Sequence, residues 1–337
     1  MSDEQLIKSV GWYRSSVPRE TMQALNRRSD WKGFLQAGGH LGLVVVTGAL
    51  VWYASEQFAW WVWLPMLFAY GTFYAFLLNG THELSHNTVF KTRALNTFFL
   101  RLFCFSGWRN HVMFWTSHAQ HHKFTLYAPN DLEVVLPVPL TLKGFLKFGF
   151  VDVWRFWATL KSTIRIAMGR LDGRWEHYLF PDSAVEKRRE LVNGSRFLLV
   201  GHAAIVGVSL YFGWWQLLLL VTFGQFYGGW LRYLCNNTQH VGLQDNVPDF
   251  RCSCRTVILN PFVQFLYWQM NYHIEHHMYA AIPCYNLGRL HREIKSDLPD
   301  CHKGLWAAWK DIIAILRRQQ SEPAYQYAPD LPARVSG

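Results

Sequence analysis

Four stretches of this chain, Phe34 to Ala54, Phe58 to Asn79, Phe197 to Gly213 and Trp214 to Leu231, contain no Asp, Glu, Lys or Arg. Each approaches or exceeds the roughly 20 residues of helix that cross a bilayer. Inside lipid the backbone must satisfy its own polar groups, so runs of this kind are restricted to helices. Only Ser55-Glu56-Gln57 separates the first two runs and almost nothing separates the last two. Such short connections pair them into two antiparallel hairpins with both tight turns on one side. All 33 Lys and Arg lie outside the four runs and the two turns. The positive-inside bias then puts both termini, the middle segment and the tail in the cytoplasm. The expected fold is an all-α integral membrane protein with four transmembrane helices in two hairpins, a cytoplasmic His-rich helical cap and interfacial helices. It forms one domain over residues 1-337: a cytoplasmic N-terminus (1-33), the first hairpin (34-79), a cytoplasmic or interfacial segment (80-195), the second hairpin (196-235), a second cytoplasmic segment (236-321) and a polar tail (322-337).

The net charge of +10 accompanies 17 Trp and 24 Phe. An anionic membrane surface suits that combination, and nucleic acid does not. Six cysteines without a repeated Cys-x-x-Cys pair indicate neither a zinc ribbon nor a disulfide framework, and Cys252-Ser-Cys254 reads as incidental. Three further apolar segments, at 97-108, 143-168 and 256-270, are too short or too interrupted to span. In the second, Lys143, Lys147, Arg155, Lys161 and Arg165 fall within about 120° of one helical arc, which predicts a helix lying in the interface. The third, broken by Pro261, is expected to floor a cavity.

Nine of the 15 histidines are grouped. "HELSH" gives His82 and His86, "HAQHH" gives His118, His121 and His122, "HIEHH" gives His273, His276 and His277, and "NNTQH" adds His240. On a helix, positions i, i+3 and i+4 share a face, so each His-x-x-His-His box aims its imidazoles at one place. The two hairpins deliver "HELSH" and "NNTQH" to one cytoplasmic level, the other two boxes come from the cytoplasmic segments, and the number of ligands suggests two ions. Imidazole suits iron, copper and zinc alike, so ligand type leaves the metal open. "HELSH" also spells the zinc-protease signature, but Val89 and Thr92 stand where a metzincin has Gly and His. A soluble di-iron carboxylate bundle needs two Glu-x-x-His units, and only Glu83 to His86 offers one. A metal transporter would place its ligands near mid-membrane.

In order and spacing the boxes resemble those of the integral-membrane fatty acid desaturase and hydroxylase superfamily, over about residues 34 to 315. The contexts "HELSHNTVF" and "NYHIEHHMYAAIPCYNLGRL" are similar to its sphingolipid and bacterial acyl-lipid branch. The resemblance implies a non-haem di-iron centre held by His82, His86, His118, His121, His122, His240, His273, His276 and His277, with Asn236 completing the set through a water. It implies an O2-dependent enzyme that introduces a double bond into a long acyl chain, with hydroxylation or oxidative decarboxylation as alternatives on the same scaffold and a membrane zinc protease as a remote one. The bacterial inner membrane is favoured over the endoplasmic reticulum. Glu83, Asp131, Glu275 and His111 are expected behind the ligands, orienting imidazoles through their second nitrogen. The chain has no Cys-x-x-Cys-His, ferredoxin-like cysteine set or Gly-rich dinucleotide fingerprint, so electrons are expected from a separate ferredoxin or cytochrome b5 type donor. An acyl chain would thread from the bilayer into a closed, dry pocket and gain about 0.8 kcal/mol per buried methylene. His202, inside the third run, is expected to make a helix-packing hydrogen bond.

Overall fold

The computed structural model describes residues 7-332. Three of its helices are long and apolar enough to cross a membrane: α1 (Asp30–Gln57), α2 (Trp60–Ser85) and α7 (Val185–Phe212). Helix α1 starts where Ser29 Oγ accepts the amide proton of Lys32, satisfying a free N-terminal donor. It packs antiparallel to α2, and Gly48 is the close approach, since a Cβ there would stand 3.0 Å from the Tyr70 ring. Helix α7 ends at Gly213, whose φ of 70° only glycine adopts freely. All three turn large apolar side chains outward, among them Val45 and Leu50 on α1, Trp60 and Trp61 on α2, and Val200 and Leu210 on α7. An exposed apolar surface of this extent is what lipid covers.

The fourth uncharged run, expected as a continuous helix, is broken into pieces. An α-helical turn (Trp215–Leu217) leads into a π-helix (Leu218–Thr222), a 3-10 turn (Gly224–Phe226) and, after Gly229, a separate helix, α8 (Trp230–Asn236). Gly228 sits at φ 68° against the backbone of α2, where a Cβ would meet Gly71 and Thr72 at 2.7 Å. Gly71 is equally crowded, its Cβ position lying 2.4 Å from the Tyr227 ring.

The same break splits the segment expected to form one interfacial helix. Gly228 N donates to Phe150 O at 2.8 Å and Asp152 N donates to Phe226 O at 2.8 Å. By exchanging these bonds, two chain segments are each released from helix at one place. The result is α5 (Leu142–Gly149) and α6 (Val153–Ala167), with Asp152 capping the amide of Arg155 at 2.9 Å. The single basic arc is thereby lost, and Arg155 turns inward to donate to Gln225 O.

Two shorter helices, α3 (Arg93–Ser106) and α4 (His111–Phe124), run beneath α2 and α7. The C-terminal part carries α9 (His273–Met278), α10 (Cys284–Ile294) and α11 (Leu305–Ser321). A parallel pair of short strands, Val257–Ile258 and His302–Lys303, ties this part together in the register Val257 to His302. His202 packs as expected, its Nε2 3.2 Å from Phe105 O and its ring stacked 3.8 Å from Trp108.

Candidate metal centre

Each histidine box is delivered by a different element. His82 lies in the last turns of α2 and His86 is its C-terminal cap residue. His118, His121 and His122 occupy the end of α4, a helix started by Asn110, whose side-chain oxygen accepts from Val112 N and Met113 N. His273, His276 and His277 make up half of α9. His240 follows α8 in a turn, fixed by an Nδ1–H bond of 2.8 Å to Ser253 O.

The rings fall into two groups. One nitrogen each of His82, His86, His118, His122 and His276 lies within 4.8 Å of all the others, and the same holds for one nitrogen each of His240, His273 and His277 with the Cys254 sulfur. Within the first group His122 Nε2 is 3.0 Å from His118 Nε2 and 3.1 Å from His276 Nε2. In the second, His273 Nε2 is 2.9 Å from His240 Nε2 and 3.2 Å from His277 Nε2. His121 borders this second group, with ring centroids 5.3 Å from His240 and 5.0 Å from His277. The groups abut where His122 stacks on His277 at 4.4 Å.

The far side of the rings decides which nitrogen faces inward. His82 Nδ1 is 3.0 Å from Glu83 Oε1, His118 Nδ1 is 3.0 Å from Glu133 Oε1, and His121 Nδ1 is 2.8 Å from Asp131 Oδ2. His277 Nδ1 is 3.2 Å from Thr125 Oγ1, a hydroxyl that donates to His121 O and so accepts from the imidazole. With the proton held at Nδ1, each Nε2 presents a lone pair to the centre. Several lone pairs converging at about 3 Å in a buried site are what a shared cation would stabilise. Cis ligands at metal–nitrogen distances of about 2.1 Å stand about 3.0 Å apart on a six-coordinate ion and about 3.4 Å apart on a tetrahedral one. The four shortest Nε2 to Nε2 spacings, 2.9–3.2 Å, are of that order. Five imidazoles in the first group also exceed the four that tetrahedral zinc takes. His86 Nε2, buried without a hydrogen-bond partner, fits the same place. The residues present therefore suit two metal ions.

Burial and, behind it, the neighbouring imidazoles hold His118, His122, His273, His276 and His277 well below the ordinary histidine value. His240 falls to about 3 for the same two reasons. Neutral imidazole is the ligating form. Burial also works on His121, but the charge and hydrogen bond of Asp131 outweigh it and raise that ring.

Glu83 and Asp131 thus stand against the outer nitrogens of His82 and His121, and Glu83 Oε1 also lies 3.4 Å from His276 Nδ1. Glu275 does not. Its carboxylate turns away to His291 Nδ1 and Thr256 Oγ1, each at 2.5 Å, tying α9 to α10 and to the strand pair. His111 opens α4, two turns from His118 and about 10 Å along the axis, where Arg101 and Glu190 are its charged neighbours. Asn236 lines the cavity beside His240 and His273, its Oδ1 accepting from Asn79 Nδ2 at 3.2 Å. Sequence reading missed Glu133, whose second oxygen accepts from Ser117 Oγ at 2.5 Å. It also passed over Cys254, which joins the second group by packing 3.8 Å from His240 Nδ1, behind the ring.

A cavity of about 730 Å³ opens from the rings of His82, His118, His121, His240 and His273. Its wall is not the dry apolar lining expected of an acyl tunnel. Leu78, Trp108 and Phe114 share it with Arg109, Arg155 and Arg232.

The family model described as fatty acid desaturase matches residues 58–309. No curated protein matches the chain.

Proposed function

Since this chain belongs to the fatty acid desaturase family, we propose that it is an O2-dependent membrane oxidase with two irons, removing hydrogen from adjacent methylenes of an acyl chain to leave a double bond. The observation that carries the reading is the convergence of imidazole nitrogens in two abutting groups, with neighbouring Nε2 atoms about 3 Å apart. When bound, the two irons supply O2 activation and the abstraction of hydrogen from an unactivated carbon. Glu83, Glu133 and Asp131 hold protons on the outer nitrogens of His82, His118 and His121, which fixes ring orientation and makes the inner nitrogens better donors. His118, His121, His240, His273, His276 and His277 are buried, which limits the access of water to them, while His82, His86 and His122 are half-buried.

The reaction balances as one O2, two electrons and two protons with the two hydrogens of the substrate, giving an alkene and two waters. The electrons are assigned to a separate ferredoxin or cytochrome b5 type protein, and the basic net charge favours an acidic partner. In the membrane, α1, α2 and α7 span, and the interrupted run from Trp214 to Leu231 completes a fourth crossing with both termini cytoplasmic. Glu83 opposes the protease alternative. A zinc protease needs that carboxylate free to take a proton from metal-bound water, whereas here it sits behind the rings of His82 and His276.

Turnover with 18O2, a reduced donor and acyl lipid tests the reading. An alkene two mass units lighter than the substrate and free of 18O is expected. Stoichiometric 18O in the organic product would make the enzyme a hydroxylase, and loss of the carboxyl carbon a decarboxylase. One zinc per protein, with no oxidised lipid, would overturn the reading.

A further inference from the structure

Besides the histidines, the cavity wall gathers three guanidinium groups. Arg109 rests 4.6 Å over the Phe114 ring and, among the described residues, makes no ion pair. Arg232 donates through Nε to Asn79 Oδ1 at 3.2 Å and likewise has no carboxylate partner among them. Arg155 donates to Gln225 O, but its Nε is buried without a hydrogen-bond partner and stands 3.9 Å from Asp152 Oδ2. Glu133 is the only acid in the wall among the described residues, and both its oxygens are engaged by His118 and Ser117. Burial, then repulsion from Arg109 and Arg155, pulls Arg232 down to about 9.

Helix α6 shows the same bias. It turns Arg155, Thr159, Ser162 and Thr163 into the cavity and leaves Val153, Trp154 and Trp157 exposed. This is an amphipathic helix with its polar side inward. A chamber meant only for methylenes has no use for that orientation, and three half-buried cations with so little counter-charge carry a desolvation cost that an occupant must offset. Guanidinium groups match carboxylate and phosphate oxygens in geometry and charge.

We infer that the substrate is an amphiphile carrying an oxyanion, held by Arg109, Arg155 and Arg232, and that the carbons oxidised are those near this head group, because the arginines and the histidines share one chamber. The inference rests on reading the histidine chamber as the site of oxidation. It deepens that reading by naming the substrate class.

Equilibrium binding to the full-length protein in detergent tests it, with probes of matched tail: dodecanoic acid, dodecyl phosphate, methyl dodecanoate and dodecanol. The two anions should bind at least roughly tenfold more tightly than the two neutral probes, and the tighter of the two identifies the head group as carboxylate or phosphate. Arg109→Gln and Arg232→Gln should each erase most of that preference, the corresponding Lys variants should keep part of it, and Arg317→Gln on the exposed face of α11 should leave it intact. Equal binding of acid and methyl ester, or a preference that survives both Gln variants, overturns the inference. If a Gln variant fails to fold, the wild-type comparison of acid with ester decides alone. The two readings fail separately. Anion preference without any oxidised product would sink the oxidase assignment and keep the anion site, whereas mid-chain oxidation of neutral lipid without anion preference would do the reverse.

Discussion

Replacing Glu133 should weaken one metal ion and spare the other. Its Oε1 holds the Nδ1 proton of His118 at 3.0 Å, and His118 belongs to the first group alone. A hydrogen bond to a charged acceptor is worth about 1.5–3 kcal/mol and a neutral one about 0.5–1.5. Glu133→Gln therefore gives up about 1–1.5 kcal/mol of support for the ligating tautomer, or roughly a tenfold loss of affinity. With Glu133 23% exposed, solvent screening puts the change at the lower end. Glu133→Ala leaves the His118 nitrogen without any acceptor and removes the partner of Ser117, so about 100-fold is expected, near the upper bound for residues that support a metal ligand. The assay is a chelator competition on detergent-purified protein, reading iron released in two steps. The first site should move by these factors and the second by less than about twofold, and Glu275→Gln should move neither, since that carboxylate serves His291. Loss of the second ion first, or unchanged release from both sites, would refute the tautomer reasoning.

Other outcomes follow from single features. His121→Ala should lower occupancy of the second site, whereas Cys254→Ser, altering a sulfur behind the His240 ring, should leave two ions bound by metal analysis. Gly71→Ala should lower the thermal unfolding temperature in detergent, because its Cβ would stand 2.4 Å from Tyr227 and overpacking of this kind costs about 1–3 kcal/mol; an unshifted transition would show that the Tyr227 segment moves freely off α2. A cysteine at Gln57 should react with an impermeant thiol reagent in intact cells, and cysteines at Ser2 or Gly337 only after permeabilisation. Terminal labelling without permeabilisation would overturn the proposed orientation.

The grouping of the histidines was legible because helical spacing is local. His118, His121 and His122 share a face whatever the rest of the chain does. Residues that act from behind were legible only when close in sequence, as Glu83 and Asp131 are. Glu133 lies beyond the end of α4 on an irregular segment, and no periodicity ties it to His118. Proximity misled for Glu275, which sits inside a box yet points out of it, because an i+2 neighbour on a helix faces the other way. The interrupted fourth run had its signal in Gly224, Gly228 and Gly229, overridden by the absence of charge. The inward turn of Arg155 had none, since it depends on backbone bonds between residues 150-152 and 226-228. The three arginines come from separate elements, and only the fold brings them together.

Helix α9 has six residues, and two neighbours on it, His276 and His277, serve different groups. Alone in water so short a helix would not persist. Its order therefore rests on the burial of Ile274 and Met278 and on the bonds of Glu275 to His291 and Thr256, and by mass action whatever binds its rings adds to that. The membrane hairpin of α1 and α2 has no such dependence, since its helices are long and pack on each other. Metal binding is therefore expected to raise the protease resistance of the C-terminal third more than that of the hairpin. Metal supply would then set how much of this protein a cell retains, as well as how much of it is active.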